Sequence, residues 1–222
     1  MRIAIMQPYF IPYAGYFRLF CAADLFVIYD CVQFIRRGWI HRNQLPNING
    51  DLNWLTLPLK KAPQDVIIKD LEFADNYQSS WNERISSFPQ LNATEFKQNP
   101  LYNTIQQLDS SPLEYIVSTL QITCHTLGLP FAVEYSSKLD IPETVKGEER
   151  IIEIAKNFGA TEYINLSGGK TLYNADKFKH HGLDLLFLSE YSGSYDSILQ
   201  RLISDNPVLL RKEMMEQSKW TI

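Results

Sequence analysis

Residues 6–17, MQPYFIPYAGYF, constrain the fold of this chain more than any other stretch. A short apolar run precedes them and apolar residues at helical spacing follow them, so the pattern predicts a buried strand, a turn and a helix. Pro8 and Pro12 fix the backbone of the turn and remove two backbone N–H donors. In an open α/β sheet, ligands bind outside the carboxyl ends of the strands, which is where this turn would lie.

The turn and its exit carry four aromatic residues: Tyr9, Phe10, Tyr13 and Tyr16. They have two interpretations, since they could line a pocket under a ligand or form a small aromatic core that closes the sheet. The sequence leaves both open. Our prediction for the first interpretation is that Gln7, Tyr9 and Tyr13 form part of a pocket wall.

Strands and helices alternate in the first quarter and in the last half of the chain, which favours a mainly parallel sheet. Buried strands are predicted at residues 3–5, 25–30, 132–136, 162–166 and 183–188. We therefore predict an α/β fold with a Rossmann-like sheet and helices on both faces. It would form a single domain of residues 1–222, with a mostly helical insertion at about residues 77–128.

The region between residues 31 and 73 has weaker patterns. Residues 54–59 and 66–73 each alternate in polarity and are predicted to pair as antiparallel strands. Residues 33–43 are polar, basic and aromatic without a clear period, which predicts a loop. Further along, Ser111 before Pro112 is typical of a helix start.

Composition excludes some classes of protein. The net charge is −4 and there is no polybasic tail, so no nucleic-acid partner is expected. No apolar run approaches 18 residues, which predicts no insertion into a membrane. Three cysteines without metal or redox spacing, and an N-terminus without signal-peptide features, predict a reduced, cytoplasmic protein.

The positive charge is concentrated near the N-terminus. Residues 1–42 carry a balance of +3 and the remainder −7, and residues 31–50 contain no acid at all. Arg36, Arg37 and Arg42 follow a strand end, where guanidinium groups could bind a phosphate through paired hydrogen bonds. The alternative is that they pair with acids elsewhere. Trp39 between them is assigned either to a pocket wall or to the core.

Residues 167–171, SGGKT, follow a predicted strand and precede a predicted helix. Glycines let backbone N–H groups approach an anion, and a helix N-terminus adds positive partial charge. Gly168, Gly169 and Lys170 are therefore predicted to form a second phosphate site, although the stretch lacks the first glycine of a P-loop. An ordinary turn between strand and helix is the alternative.

Asp30 ends the second predicted strand and could bind a ribose hydroxyl, orient an amine or act as a base. His41 is the histidine nearest to it in sequence, so both are candidate catalytic residues. Gln33 and Asn43 complete the predicted pocket wall. Cys31 is a candidate nucleophile, but a buried structural cysteine is the more usual case. No histidines and carboxylates have metal spacing, so no metal site is predicted.

Four stretches together resemble the WbqC-like family: MQPYFIPYAGYFRLF, DLFVIYDCVQFIRRGWIHRN, WLTLPLKK and YINLSGGKTLYNADKF with GLDLLFL. Members of that family occur with bacterial O-antigen and other surface-polysaccharide genes. The resemblance implies acylation, for example with an amino acid, of the amine of a nucleotide-linked deoxyaminosugar. It does not identify a cofactor, and the oligomeric state, including a homo-oligomer, stays open.

A more distant likeness is to HUP-type nucleotide-binding folds, which hold ATP phosphates on an HxGH motif after the first strand. The matching residues here are Tyr13-Ala14-Gly15-Tyr16, so the glycine is kept and tyrosines replace both histidines. Tyrosine is uncharged at neutral pH, so Arg36, Arg37, Arg42 and Lys170 would have to supply the positive charge.

Three functions therefore remain in view. The leading hypothesis is a transferase acting on a nucleotide-linked sugar. The second is a HUP-type nucleotidyltransferase using ATP with magnesium. The third is a non-catalytic binding or scaffold protein, which predicts exposed apolar surface on the helical insertion.

Overall fold

A computed structural model describes residues 1–221 of the chain. Five parallel strands form the centre of a six-stranded sheet: β1 (Arg2–Met6), β2 (Leu25–Ile28), β5 (Val133–Tyr135), β6 (Glu162–Asn165) and β7 (Asp184–Leu188). Their order across the sheet is β5-β2-β1-β6-β7, and a short antiparallel strand, β8 (Trp220–Thr221), follows β7 at the edge. The fold is thus α/β with a mainly parallel, Rossmann-like sheet, which confirms the predicted class.

Alternate side chains of the central strands enter two separate cores, so both faces of the sheet are covered. Ala4 of β1 packs with α1 (Ala14–Ala22), α4 (Pro112–Thr126), α7 (Ile198–Ser204) and α8 (Pro207–Glu216). Ile3 and Ile5 pack with α5 (Gly147–Asn157) and α6 (Ala175–His180) on the other face. Strands buried on both faces are typical of parallel sheets, and they explain the continuous apolar runs in the sequence.

The connection from β2 to β5 takes up residues 29–132. It contains an antiparallel hairpin, β3 (Arg42–Pro46) with β4 (Leu52–Thr56), and then α2 (Tyr77–Ser86), α3 (Leu101–Gln106) and α4. These three helices lie within residues 77–128. Every large hydrophobic side chain of that stretch is at least partly buried. The exposed apolar surface expected of a scaffold protein is therefore missing from residues 77–128.

The predicted pairing of residues 54–59 with 66–73 is wrong. The partner of β4 is β3, which lies partly inside the stretch predicted as a loop. Residues 66–73 contain a 3₁₀ turn at Ile68–Asp70 and form isolated bridges in place of a strand ladder, Gln33 with Ile67 and Leu59 with Phe73. Their buried residues include Ile68 and Leu71, a spacing of three that an alternating strand does not produce.

The predicted helix start at Ser111 and Pro112 is confirmed, because local chemistry sets it. The Ser111 hydroxyl accepts a hydrogen bond from the Glu114 amide at 3.3 Å, with Pro112 as the first helical residue of α4. Gly159 follows α5 with φ of +67°, the left-handed conformation that glycine adopts without strain.

The aromatic turn after β1 is packed and partly strained. Ile11 is buried and has φ of +42°, a value that a β-branched residue rarely adopts. Its carbonyl accepts hydrogen bonds from the Asn43 amide at 2.7 Å and from the Ser197 hydroxyl at 2.8 Å. These two side chains, from the hairpin and from the start of α7, hold the turn in this conformation.

Candidate functional site

A cleft of about 790 Å³ opens at the carboxyl ends of β2 and β5. We call it the β2–β5 cleft. Its base includes Tyr29, Cys31 and Arg150, and residues from the stretches 63–70 and 137–147 form its sides. The volume is in the range of small-molecule sites, and the carboxyl ends of parallel strands are the usual place for a ligand in this architecture.

A chain of hydrogen bonds crosses the base of this cleft. The Arg150 Nε–H donates to the Cys31 sulfur at 3.2 Å, and the sulfur lies 3.0 Å from the Ser136 hydroxyl oxygen. The Ser136 hydroxyl donates to Asp30 Oδ1 at 2.8 Å. Because the serine proton is committed to the carboxylate, the Cys31 thiol donates to Ser136. The thiol is thus linked through one hydroxyl to a buried carboxylate.

Asp30 is fully buried and its carboxylate is held from the neighbouring strand. In addition to Ser136, it accepts the backbone amide of Ser137 at 2.9 Å and the Ser137 hydroxyl at 2.5 Å. Within residues 1–221 it makes no ion pair with an arginine or lysine. The predicted catalytic carboxylate therefore lies behind Cys31 and can act on a ligand only through its hydroxyl partners.

His41, the other candidate catalytic residue, is not joined to Asp30 by any hydrogen bond in the described part of the chain. It lies edge-on to the Phe34 ring, with ring centres 4.9 Å apart. Burial, followed by the charges of Arg42 and Arg84, lowers the pKa of His41 to about 4. Its imidazole is therefore neutral at pH 7 and is a weak base.

The three arginines of the basic stretch have different surroundings. Arg36 is exposed and donates to the Ala62 carbonyl, and Arg37 is exposed. Arg42 donates to the carbonyl of Arg37 at 2.6 Å, and its guanidinium lies 4.0 Å from the centre of the Trp54 ring. The Trp39 ring packs on Trp54 at 5.2 Å. Arg42 and the predicted wall residue Trp39 thus belong to a half-exposed stack on the hairpin.

The stretch with Gly168, Gly169 and Lys170 forms a 3₁₀ segment, Ser167–Leu172, directly after β6. Gly169 packs on Asn165, and a Cβ atom there would lie 2.8 Å from the Asn165 amide nitrogen. A Cβ at Gly168 would meet no atom within 4 Å, and Lys170 is exposed. Since β6 neighbours β1, this segment and Gln7 flank the point where the strand order reverses.

The other predicted wall residues are divided between packing and the cleft. Tyr13 stacks on Tyr195 at 4.9 Å and contacts Tyr191, while Tyr9 packs on Tyr16 at 5.5 Å. Asn43 is buried, and its side-chain amide donates hydrogen bonds to two carbonyls of the aromatic turn. Gln33 donates to the Gln64 carbonyl at 2.8 Å and lines the β2–β5 cleft. Of the predicted wall, Gln33 is the residue that contacts this cleft.

Sequence reasoning missed Arg150, Ser136, Ser137 and Lys146. One signal was available for Arg150, because it lies four residues before Ile154 and so shares the apolar face of α5. An arginine on an apolar, core-facing side of a helix needs buried hydrogen-bond partners for its charged group. Nothing local in the sequence indicates that Ser136 meets Asp30, because that contact depends on the pairing of β2 with β5.

A second depression, of about 530 Å³, lies among the helices of the insertion and is rich in amide side chains. The amides of Gln78 and Gln106 are engaged in hydrogen bonds within the protein. Over residues 1–221, no three His, Cys, Asp or Glu side chains are grouped so as to hold a metal ion. None of the helices in that range combines the length and apolarity needed to cross a membrane.

Comparisons with known proteins agree with the resemblance seen in the sequence. A curated relative, uncharacterized protein Rv1507c of Mycobacterium tuberculosis, is 27% identical over 172 residues, which cover 74% of this chain and 71% of the relative. No solved structure matches the chain. The family model of the WbqC-like protein family matches residues 7–201. This match covers most of the chain, and the protein therefore belongs to the WbqC-like family.

Proposed function

We propose that this protein transfers an acyl or aminoacyl group to the amine of a nucleotide-linked deoxyaminosugar during bacterial surface-glycan synthesis. The resemblance to the WbqC-like family supplies the class of substrate. The β2–β5 cleft supports the proposal by its volume and its place at the strand ends.

The observation that carries the reaction type is the position of Cys31. Its sulfur lies in the base of the cleft, with Arg150 on one side and the Ser136–Asp30 pair on the other. A cysteine whose thiol proton is transferred to a neighbouring group is the usual nucleophile for acyl transfer through a thioester. Asp30 acts through Ser136, because the Ser136 hydroxyl can accept the thiol proton only as it passes its own proton to the Asp30 carboxylate.

The reaction takes place in two steps. First, the Cys31 sulfur attacks the carbonyl of an activated acyl donor, a C–S bond forms and the bond to the leaving group breaks. The thiol proton passes to Ser136 as the Ser136 proton passes to Asp30, and a proton then returns from Asp30 through Ser136 to the leaving group. Second, the sugar amine attacks the thioester, a C–N bond forms, the C–S bond breaks and one amine proton restores the thiol.

The test is the mass of the protein after incubation with acyl-CoA thioesters and aminoacyl adenylates. We expect an adduct on the Cys31 peptide that hydroxylamine removes, and that UDP- or dTDP-linked aminosugars discharge into an amide. Cys31→Ala should abolish the adduct, and Cys21→Ala is the matched control that should keep it. Transfer at an unchanged rate by Cys31→Ala would refute this mechanism.

A second candidate is a HUP-type nucleotidyltransferase that uses ATP with magnesium. It is supported by the strand order and by the place of Gly168 and Lys170 after β6, which neighbours β1 where that order reverses. Against it, Tyr16 is buried, and its hydroxyl donates to the Gln7 carbonyl at 2.8 Å. Release of pyrophosphate from ATP and magnesium, lost in Lys170→Ala, would favour this candidate over acyl transfer.

A further inference from the structure

Arg150 is a buried cation without a buried counter-charge. It is 8% exposed, and no carboxylate in residues 1–221 lies within ion-pair distance of it. Its Nη1 donates to the carbonyls of Pro142 at 3.0 Å and Val145 at 3.1 Å, and its Nε donates to Cys31. Burying a charge with only neutral partners costs desolvation free energy. An anion bound from outside the chain would offset that cost by supplying the missing counter-charge.

Arg18 provides an internal comparison. It is 1% exposed, and its donors also meet carbonyls, those of Gln217 and Ser189 at 2.8 Å each. Arg18 joins α1 to the end of the chain, and this tie accounts for it structurally. Arg150 differs because it lines the β2–β5 cleft. One terminal nitrogen of each arginine makes no hydrogen bond to the described residues, and in Arg150 this is Nη2. That nitrogen is available to a ligand.

The N-terminus of α5 lies in the same wall of the cleft. Gly147 begins the helix with φ of +56°, Lys146 precedes it, and no side chain caps the first amide groups. Uncapped amides and the helix dipole favour an anion here. A Cβ at Gly147 would meet no atom within 4 Å, so the space beside it is open.

The charges around this wall include acids as well as bases. Lys69 and Lys146 line the cleft, and so do Asp65, Asp70 and Glu143. The two acids of the first turn of α5 are engaged elsewhere, since Glu148 and Glu149 both pair with Lys177, at 3.3 and 2.6 Å. The positive groups nearest the helix start are therefore Arg150, Lys146 and the amides themselves.

From this arrangement we infer that Arg150, Lys146 and the first amides of α5 form a site for a phosphate or diphosphate group. The identity of the ligand rests on the proposed function, whose substrate carries a diphosphate. The free Nη2 of Arg150 can donate charge-assisted hydrogen bonds to phosphate oxygens. Because the same guanidinium contacts the Cys31 sulfur, an anion on Nη2 would anchor the ligand next to the sulfur. The site is distinct from Arg36, Arg37 and Arg42, which the sequence favoured.

The experiment is calorimetric titration of the protein with inorganic pyrophosphate at low ionic strength. We expect Lys146→Ala and Arg150→Gln to weaken binding about tenfold or more, as loss of a charge-assisted contact does. Arg37→Ala and Lys138→Ala remove comparable surface charges and should change the affinity by less than about twofold. Lys146 is exposed, so Lys146→Ala decides the question even if Arg150→Gln does not fold.

Two outcomes would overturn the inference. One is the absence of pyrophosphate binding to the wild-type protein. The other is wild-type affinity in Lys146→Ala, above all if Arg37→Ala binds more weakly. Pyrophosphate carries no acyl group, so the result does not depend on the proposed reaction. Binding through Arg150 together with the absence of acyl transfer would keep the site and reject the function.

Discussion

The Ser137 hydroxyl and the Asp30 carboxylate form a hydrogen bond of 2.5 Å between segments that follow two neighbouring strands. The Ser136 hydroxyl donates to the same carboxylate, so Asp30 ties the end of β2 to the end of β5. Substitutions can measure how much this tie stabilises the fold, because loss of the carboxylate and loss of one hydroxyl should lower the free energy of unfolding by different amounts.

Asp30→Asn should lower the free energy of unfolding by roughly 2–3 kcal/mol. The substitution keeps the size of the side chain but removes its negative charge. The NH₂ group of the new amide cannot accept a hydrogen bond, so it would face the donor groups of Ser136 or Ser137 and leave some of them unpaired. Urea denaturation at pH 7 measures the loss. Ser137→Ala removes one hydroxyl bond and should cost only about 1 kcal/mol. Equal stability of wild type and Asp30→Asn would mean that the tie does not support the fold.

His41 should make the fold sensitive to acid. Its pKa of about 4 in the folded protein is below the unfolded value of 6.5, so the fold favours the neutral form. The resulting contribution to the free energy of unfolding is fully present above about pH 6.5 and is lost as pH falls towards 4. The total loss is roughly 3 kcal/mol. The urea concentration at the midpoint of unfolding, measured at pH 7.5, 6 and 5, should fall less with decreasing pH in His41→Gln than in the wild-type protein. His125 is exposed on α4, and His125→Gln should follow the wild-type curve.

The two glycines after β6 should respond differently to alanine. In Gly169→Ala the new methyl would lie 2.8 Å from the Asn165 amide nitrogen, so Asn165 must move, at a cost of roughly 1–2 kcal/mol. Gly168→Ala places its methyl in open space and should leave stability within about 0.5 kcal/mol. Thermal denaturation compares the pair. An equal loss in both would show that backbone freedom, and not contact with Asn165, requires glycine here.

Arg18→Met should be among the most destabilising single changes in the chain. It leaves the carbonyls of Gln217 and Ser189 without their buried donors and removes packing against Tyr191. We expect a loss of more than about 2 kcal/mol. Arg37→Ala, at an exposed position, is the control and should change stability little. Near-normal unfolding of Arg18→Met would indicate that other groups take over these carbonyls.

The sequence predicted the parts of the fold that depend on local chemistry. Strands β1, β2 and β7 carry continuous apolar runs, and Ser111 and Pro112 mark a helix start by their own conformational preferences. β3 was missed because its sequence, RNQLP, has few of the residues that favour strands. Residues 66–73 were wrongly predicted because alternation alone does not distinguish a strand from an extended segment that makes single bridges.

The candidate site was predicted only in part, because its contacts join distant segments. Cys31 and Asp30 were both considered from the sequence, but their link through Ser136 requires β5 to return beside β2. Arg150 was missed since charged residues of an amphipathic helix are expected on its solvated face. Gln33 lines the β2–β5 cleft, and its role in binding a ligand stays a prediction.

The connection between β2 and β5 has a consequence for how such a chain can diversify. Residues 29–132 leave the sheet at the carboxyl end of β2 and re-enter at the amino end of its parallel neighbour β5, so both ends of this long segment are fixed by the sheet. Lengthening or rebuilding a loop between fixed ends costs little entropy, because that cost grows only with the logarithm of its length. The segment supplies Val66 and Lys69 to one wall of the cleft, whereas Arg150 and the start of α5 belong to the sheet scaffold. Changes confined to residues 63–70 would therefore alter one wall of the cleft and leave the wall formed by Arg150 and the start of α5 in place.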